Sequence, residues 1–216
     1  MPAPDSPDQL RAALSHVRWL GGGSGAGKTT IAKRLAQTHG AHLYSSDDTM
    51  QDHAARCPAA VCPHLDAFKR MNMDDRWVNR SPRDMLDSFH WFAGEGFELI
   101  VQDLLALPRD TPVIAEGFRL LPRLVAPLLS DGRHALWFLP TPAFRRQAFD
   151  ARGSTWDIPN RTSDPERALA NLLARDAMFT DRVQAECHQN DLFALAVDVA
   201  SSEADLMRCV GEWFFG

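Results

Sequence analysis

The chain has 216 residues, of which 45% are hydrophobic and 24% charged, a globular balance that excludes a disordered or low-complexity protein. Against 28 Asp and Glu stand 23 Lys and Arg, a net charge of −5. This excludes a general nucleic-acid binder, whose backbone affinity rests on clustered positive charge. No apolar run approaches the roughly 18 residues that cross a bilayer, and residues 1–8 lack the basic flank and apolar stretch of a signal peptide. The expectation is a soluble, cytoplasmic protein, monomer or homodimer, with no nucleic-acid or membrane partner. Cys57, Cys62, Cys187 and Cys209 are too few for a disulfide scaffold and are expected to be reduced.

After the Pro-rich residues 1–8, Gln9–Ser15 reads as a short helix and Val17–Leu20 as a strand, with the glycine-rich run 21–27 behind it. From Thr29 to His39 the apolar Ile31, Leu35 and Ala36 share one helical face, Lys33, Arg34 and Gln37 the other, and Gly40 is the stop. Ala41–Tyr44 is a second predicted strand, ending in Ser45, Ser46, Asp47 and Asp48. Residues 49–98 hold Pro58, Pro63 and Pro82 among many Met and aromatic residues. Two or more helices are expected there, one of them Pro82–Leu107 capped by Ser81. Thr111–Glu116 is the third strand, Leu120–Leu129 a short helix, and Ala135–Leu139 an almost wholly apolar fourth strand, as a buried parallel strand should be. Pro142–Ala151 is helical, Arg152–Ser163 a polar loop, and Asp164 caps a helix that starts with Pro165 and runs through His188. Phe193–Val199 is the fifth strand and Glu203–Phe214 the closing helix. Strands alternating with helices predict an α/β chain: a five-stranded parallel sheet with helices on both faces, in one domain with a helical insertion at 49–98.

Gly22 through Thr29 (Gly-Gly-Ser-Gly-Ala-Gly-Lys-Thr) fits G-x-x-x-x-G-K-[ST] in full, between a predicted strand and a predicted helix as that pattern requires. In such a loop the backbone N–H groups of Gly23, Ser24, Gly25, Ala26, Gly27, Lys28 and Thr29, with Thr30 behind them, cradle phosphate oxygens at the positive end of a helix. Lys28, in a solvent-facing loop, supplies charge to the outer phosphates, and the Thr29 hydroxyl is a ligand for Mg²⁺. A nucleoside triphosphate is the expected ligand. Asp47 and Asp48 after the second strand, and Glu116 ending the third, fall where open α/β sheets bind ligands. A carboxylate there can take the proton of an acceptor hydroxyl, and Glu116, beside Gly117, can hold a Mg²⁺-bound water.

Together these residues resemble the small P-loop kinases, the group of shikimate kinase, gluconate kinase, chloramphenicol phosphotransferase and the nucleoside monophosphate kinases. The likeness rests on the glycine loop, on Asp47 and Asp48, on Glu116-Gly117 and on the arginine-bearing segment after the fourth strand, and it spans most of the chain. It implies ATP- and Mg²⁺-dependent transfer of the γ-phosphate to a hydroxyl of a small-molecule acceptor, with Asp47 as base and Asp48 its rival. It also implies a lid over residues 152–163, from which Arg152 and Arg161 reach the phosphates, and Arg175 on the helix behind them reaching ATP. Arg119, just after Glu116-Gly117, faces the acceptor side and is expected to hold an anionic substrate. Two alternatives stay open: a nucleotide kinase with a phosphate acceptor, and a regulatory or assembly NTPase with no small acceptor. The absence of an Asn-Lys-x-Asp sequence argues against a Ras-like GTPase.

In the insertion, Met71, Met73, Trp77, Phe89, Trp91, Phe92 and Phe97 read as core or as the lining of an acceptor pocket, and Trp77 is assigned to the acceptor. His53, Cys57, Cys62 and His64 are zinc-capable side chains, but their spacing fits the structural zinc patterns poorly.

Overall fold

A computed structural model describes residues 6–152 and 158–216, the side chain of Arg152 excepted. In chain order its elements are α1 (Pro7–Ala13), β1 (Val17–Gly22), α2 (Lys28–His39), β2 (His42–Ser45), α3 (Met50–Arg56), α4 (Pro63–Arg70), α5 (Met73–Trp77), α6 (Pro82–Ser88), α7 (His90–Ala93) and α8 (Phe97–Ala106). There follow β3 (Val113–Glu116), α9 (Pro122–Val125), β4 (Ala135–Pro140), α10 (Pro142–Arg152), α11 (Pro165–Gln189), β5 (Ala194–Val197) and α12 (Glu203–Phe215).

The strands form one sheet, parallel throughout, in the order β2-β3-β1-β4-β5. Alternate residues of each strand point to opposite faces, and both faces are covered. Trp19, Val113, Ala115 and Trp137 pack with Ile100 and Leu104 of α8 and Phe179 and Val183 of α11. Leu20, Ile114, Leu136 and Phe138 pack on the other side with Ile31 and Leu35 of α2 and Val210 and Phe214 of α12. Each fully buried side chain of this size contributes roughly 1.5–3 kcal/mol. Doubly covered strands read as continuous apolar runs, and β4 is buried at every position.

The long helix α11 begins as its sequence demands: Pro165 stands in its first turn and the Asp164 carboxylate accepts the Arg167 N–H at 3.0 Å. The helix expected over 82–107 is corrected to three. Ser81 caps α6 by accepting the Asp84 N–H, but Phe89 is extended, and Gly94 and Gly96 take φ of 94° and 72°, so the hydrogen-bond ladder breaks twice. The break leaves His90, Trp91 and Phe92 buried instead of spread around a continuous helix. Reduced cysteines are corrected in part: Cys57 and Cys62 are joined as a disulfide, and Cys187 and Cys209 are free. The turn between α3 and α4, held by Cys62 N–H to Pro58 O, brings the two Cα atoms to 6.0 Å. Among the described residues no helix is long and apolar enough to cross a membrane.

Candidate functional site

The carboxyl ends of β2, β3 and β1 lie side by side, with Glu116 paired in register to Leu20 on one flank and Ser45 on the other. Beyond β1 the glycine loop turns into α2. Gly23 N–H donates to Phe138 O of β4, tying the loop to the sheet, while Gly25 and Gly27 take φ of 76° and 80°. The loop thereby delivers its backbone to the first turn of α2, whose N–H groups have no partner within the helix. Lys28 is corrected from solvent-facing to buried, 6% exposed, with its ammonium donating to Gly23 O at 2.8 Å. Its charge is thus held back against the loop it serves.

Glu116 is fully buried and accepts the Ser45 hydroxyl at 2.7 Å and the Thr29 hydroxyl at 3.2 Å. The two residues assigned to Mg²⁺, Thr29 and Glu116, are therefore in direct contact. Hard oxygen donors of this kind, a hydroxyl beside a carboxylate, are what Mg²⁺ accepts. Asp47 and Asp48 part company: Asp47 is half-buried and lines the cavity beside the glycine loop, whereas Asp48 is exposed and does not. Burial pushes the Asp47 pKa up, and Glu116 adds to the push, while the Lys28 ammonium pulls it down. Gly117, at φ 140°, leaves room for this arrangement. A Cβ there would collide with Ser46 Oγ and stand 2.9 Å from Asp47 Oδ1.

Arg119, expected to hold an anionic substrate, is enclosed by the protein. It is 2% exposed and absent from the cavity lining, and burial lowers its pKa to about 10. Its guanidinium donates to Ser46 O at 3.1 Å, to Gly96 O at 3.3 Å and to His53 Nδ1 at 3.0 Å, and lies 4.0 Å over the Trp91 ring. Because Arg119 donates to Nδ1, the proton of neutral His53 sits on Nε2, which donates to Asp103 at 2.8 Å. Asp103 also accepts the Tyr44 hydroxyl at 2.8 Å. This Arg119–His53–Asp103–Tyr44 chain braces the backbone at Ser46, one residue before Asp47. His53 is engaged in it, Cys57 and Cys62 are bonded to each other, and His64 is exposed. No group of three or more His, Cys, Asp or Glu among the described residues is arranged to hold a metal ion.

One cavity of about 690 Å³ runs from the glycine loop, lined by Ser24 to Thr30, past Asp47 and into the insertion. Trp77 lines it, together with Phe68, Phe89, Trp91 and Phe118. Arg175 lines it too, but its Nε and Nη2 donate to Asp176 at 2.9 and 2.6 Å, and its cation lies about 5 Å from the rings of Trp77, Phe89 and Phe92. Arg161, at the end of a single 3₁₀ turn (Pro159–Arg161), is exposed and does not line the cavity. The side chain of Arg152 and residues 153–157 lie outside the described residues, and with them the centre of the expected lid. Its far end is attached to the insertion: Ser163 N–H donates to Asp74 at 2.7 Å, and Ile158 packs with Trp77 and Met85.

Sequence reading missed His90, Asp176 and the bracing pair His53–Asp103. For His90 the signal is present, a histidine inside the Phe89–Phe92 cluster; for Asp103, on α8 far along the chain, no local pattern marks it. Compared with known proteins, the chain matches no family model and no curated sequence.

Proposed function

We propose that this protein is a small-molecule kinase of the P-loop type, which uses ATP and Mg²⁺ to phosphorylate a hydroxyl of an acceptor bound in the insertion. The observation that carries the reading is a continuous cavity that joins the G-x-x-x-x-G-K-[ST] loop to an aromatic chamber, with Asp47 in its lining. The loop fits a polyphosphate: its glycines open the backbone, α2 presents its positive end, and Lys28 adds a full charge. Thr29 and Glu116 suit the magnesium that accompanies it.

When bound, ATP with Mg²⁺ supplies the γ-phosphoryl group, whose bridging P–O bond breaks toward ADP as the bond to the acceptor oxygen forms. Asp47 accepts the proton that the acceptor hydroxyl gives up. Burial raises its pKa, which makes it a stronger base than an exposed aspartate, and the Lys28 cation favours its charged form. Lys28 also offers charge where the transferred group becomes more negative, and water exclusion strengthens that attraction. Arg119 holds the Ser46 carbonyl and so fixes the backbone from which Asp47 projects.

The test is ADP formation across a panel of hydroxylated metabolites and natural products. A kinase turns over only with its acceptor present, and Lys28→Ala lowers that turnover by about 10²–10³-fold. ATP hydrolysis of equal rate with and without every acceptor would replace this reading with a switch NTPase.

A further inference from the structure

The insertion end of the cavity is an aromatic box. Phe68 meets Trp77 and Phe89 edge-on at 5.6 and 5.5 Å, and Phe89 meets Phe92 edge-on at 4.8 Å. The cations that border the box are already engaged. Lys69 donates to Ala54 O; Arg76 lies 4.5 Å over Phe68 and donates to Phe68 O and Lys69 O; Arg175 is paired with Asp176. A phosphate entering here would lose its water among aromatic rings and would have to compete with Asp176 and with backbone carbonyls for these cations, a costly transfer.

Two side chains in the box each keep one nitrogen without a protein hydrogen bond. His90 is 3% exposed and lines the cavity against Phe68, Phe89 and Trp91, and its Nδ1 is buried without a hydrogen bond. Arg175 is 6% exposed, and its Nη1 is likewise buried and unbonded. Native proteins pair nearly all such groups, so unpaired atoms on two residues that line the cavity mark where a ligand, with a small turn of each side chain, completes the hydrogen bonding. The burial that leaves His90 unpaired also drives its pKa down to about 3, so the imidazole is neutral at any physiological pH.

From this geometry we infer that the acceptor is an uncharged, flat, ring-bearing alcohol or phenol, whose ring stacks in the Phe68–Trp77–Phe89 box and whose polar substituents meet His90 and Arg175. The inference rests on the kinase reading for the word acceptor alone; the box selects its ligand whether or not nucleotide binds. It sets aside the nucleotide-kinase alternative, because a nucleoside monophosphate would bring two negative charges into this box.

The experiment is calorimetric titration of the full chain, without nucleotide, with three probes: 2-naphthol, 2-naphthoate and AMP. We expect 2-naphthol to bind at least about tenfold more tightly than 2-naphthoate, and AMP, whose phosphate can seat on the glycine loop, not to displace 2-naphthol. His90→Phe, which keeps the ring and removes both nitrogens, should weaken 2-naphthol about three- to tenfold and leave ATP·Mg²⁺ affinity unchanged. Tighter binding of 2-naphthoate, displacement of 2-naphthol by AMP, or no heat from 2-naphthol at about 1 mM overturns the proposal. The three-probe ranking uses the unmodified protein, so it decides even if the variant misfolds. A separate ATP titration distinguishes the two failures. ATP binding with no 2-naphthol binding defeats the box and leaves the kinase reading standing, and the reverse result defeats the kinase reading alone.

Discussion

At the sheet end of the cavity, the lining comes from residues 24–30 and from Asp47 just after β2; at the insertion end it comes from helices as far apart in sequence as α4 and α11. The first end is polar, built largely of backbone, and its geometry follows from glycine and helix chemistry. The second is aromatic, built of side chains, and its polar groups are engaged by neighbours or left unpaired. The contrast teaches which end tolerates change. A site made of backbone and one or two charges loses function abruptly when a charge is removed, whereas a box of several rings loses it gradually. The sheet end suits a feature common to many ligands, and the insertion end suits discrimination among them.

The sharpest test of this contrast is Asp47→Asn, which should lower kcat by about 10²–10⁴-fold in an acceptor-dependent ADP assay. Burial holds the folded pKa of Asp47 above its unfolded value, so the folded state binds that proton more tightly. Stability tied to this group is therefore present in acid and lost as pH rises through the folded pKa. Asp47→Asn should accordingly resist urea better than wild type at pH 7, with the gain closing as pH falls toward the ordinary carboxylate range. Loss of activity together with loss of stability at pH 7 would make Asp47 a structural strut instead. For wild type, the acid limb of kcat/KM should lie above that ordinary range.

Next in size, Lys28→Ala should cost about 10²–10³-fold in turnover, the worth of one group stabilising developing charge. Because Lys28 is buried against Gly23 O, urea unfolding should also show a loss of about 1–3 kcal/mol. An unchanged folding midpoint would mean that the Gly23 contact contributes nothing to folding. Gly117→Ala probes the junction of the two ends. The added Cβ meets Ser46 and Asp47, so a destabilisation of about 1–3 kcal/mol is expected, with activity falling alongside it. On the insertion side, removing the Cys57–Cys62 link by Cys57→Ala with Cys62→Ala should cost about 2 kcal/mol. Thiol titration of the denatured, unreduced wild type should find only Cys187 and Cys209. The smallest effect belongs to Asp48→Asn: exposed and off the cavity, it should change turnover by less than about twofold.

Much of the sheet end was legible because its determinants are local. The strand alternation, the glycine loop before α2 and the Asp164-Pro165 start of α11 each lie within a few residues, and the described elements follow them closely. The separation of Asp47 from Asp48 was not legible, since adjacent residues of the same type differ only in which way the turn after β2 directs them. Nor was the fate of Arg119. Its position after Glu116-Gly117 suggests a ligand, but Ser46, His53 and Gly96 surround it only after the insertion has folded over the sheet.

By itself, then, the sequence determined a parallel α/β sheet, a glycine loop at the head of α2, and carboxylates at neighbouring strand ends, because periodicity, capping and glycine conformation act over short stretches of chain. Tertiary structure alone decided that α7 would turn His90 and Trp91 into a cavity, that Arg175 would be enclosed by Trp77, Phe89 and Phe92, and that Arg119 would become a brace. Those outcomes depend on burial and on partners distant in the chain. Burial decides whether a polar side chain is charged, paired or waiting for a ligand, and no local pattern encodes it.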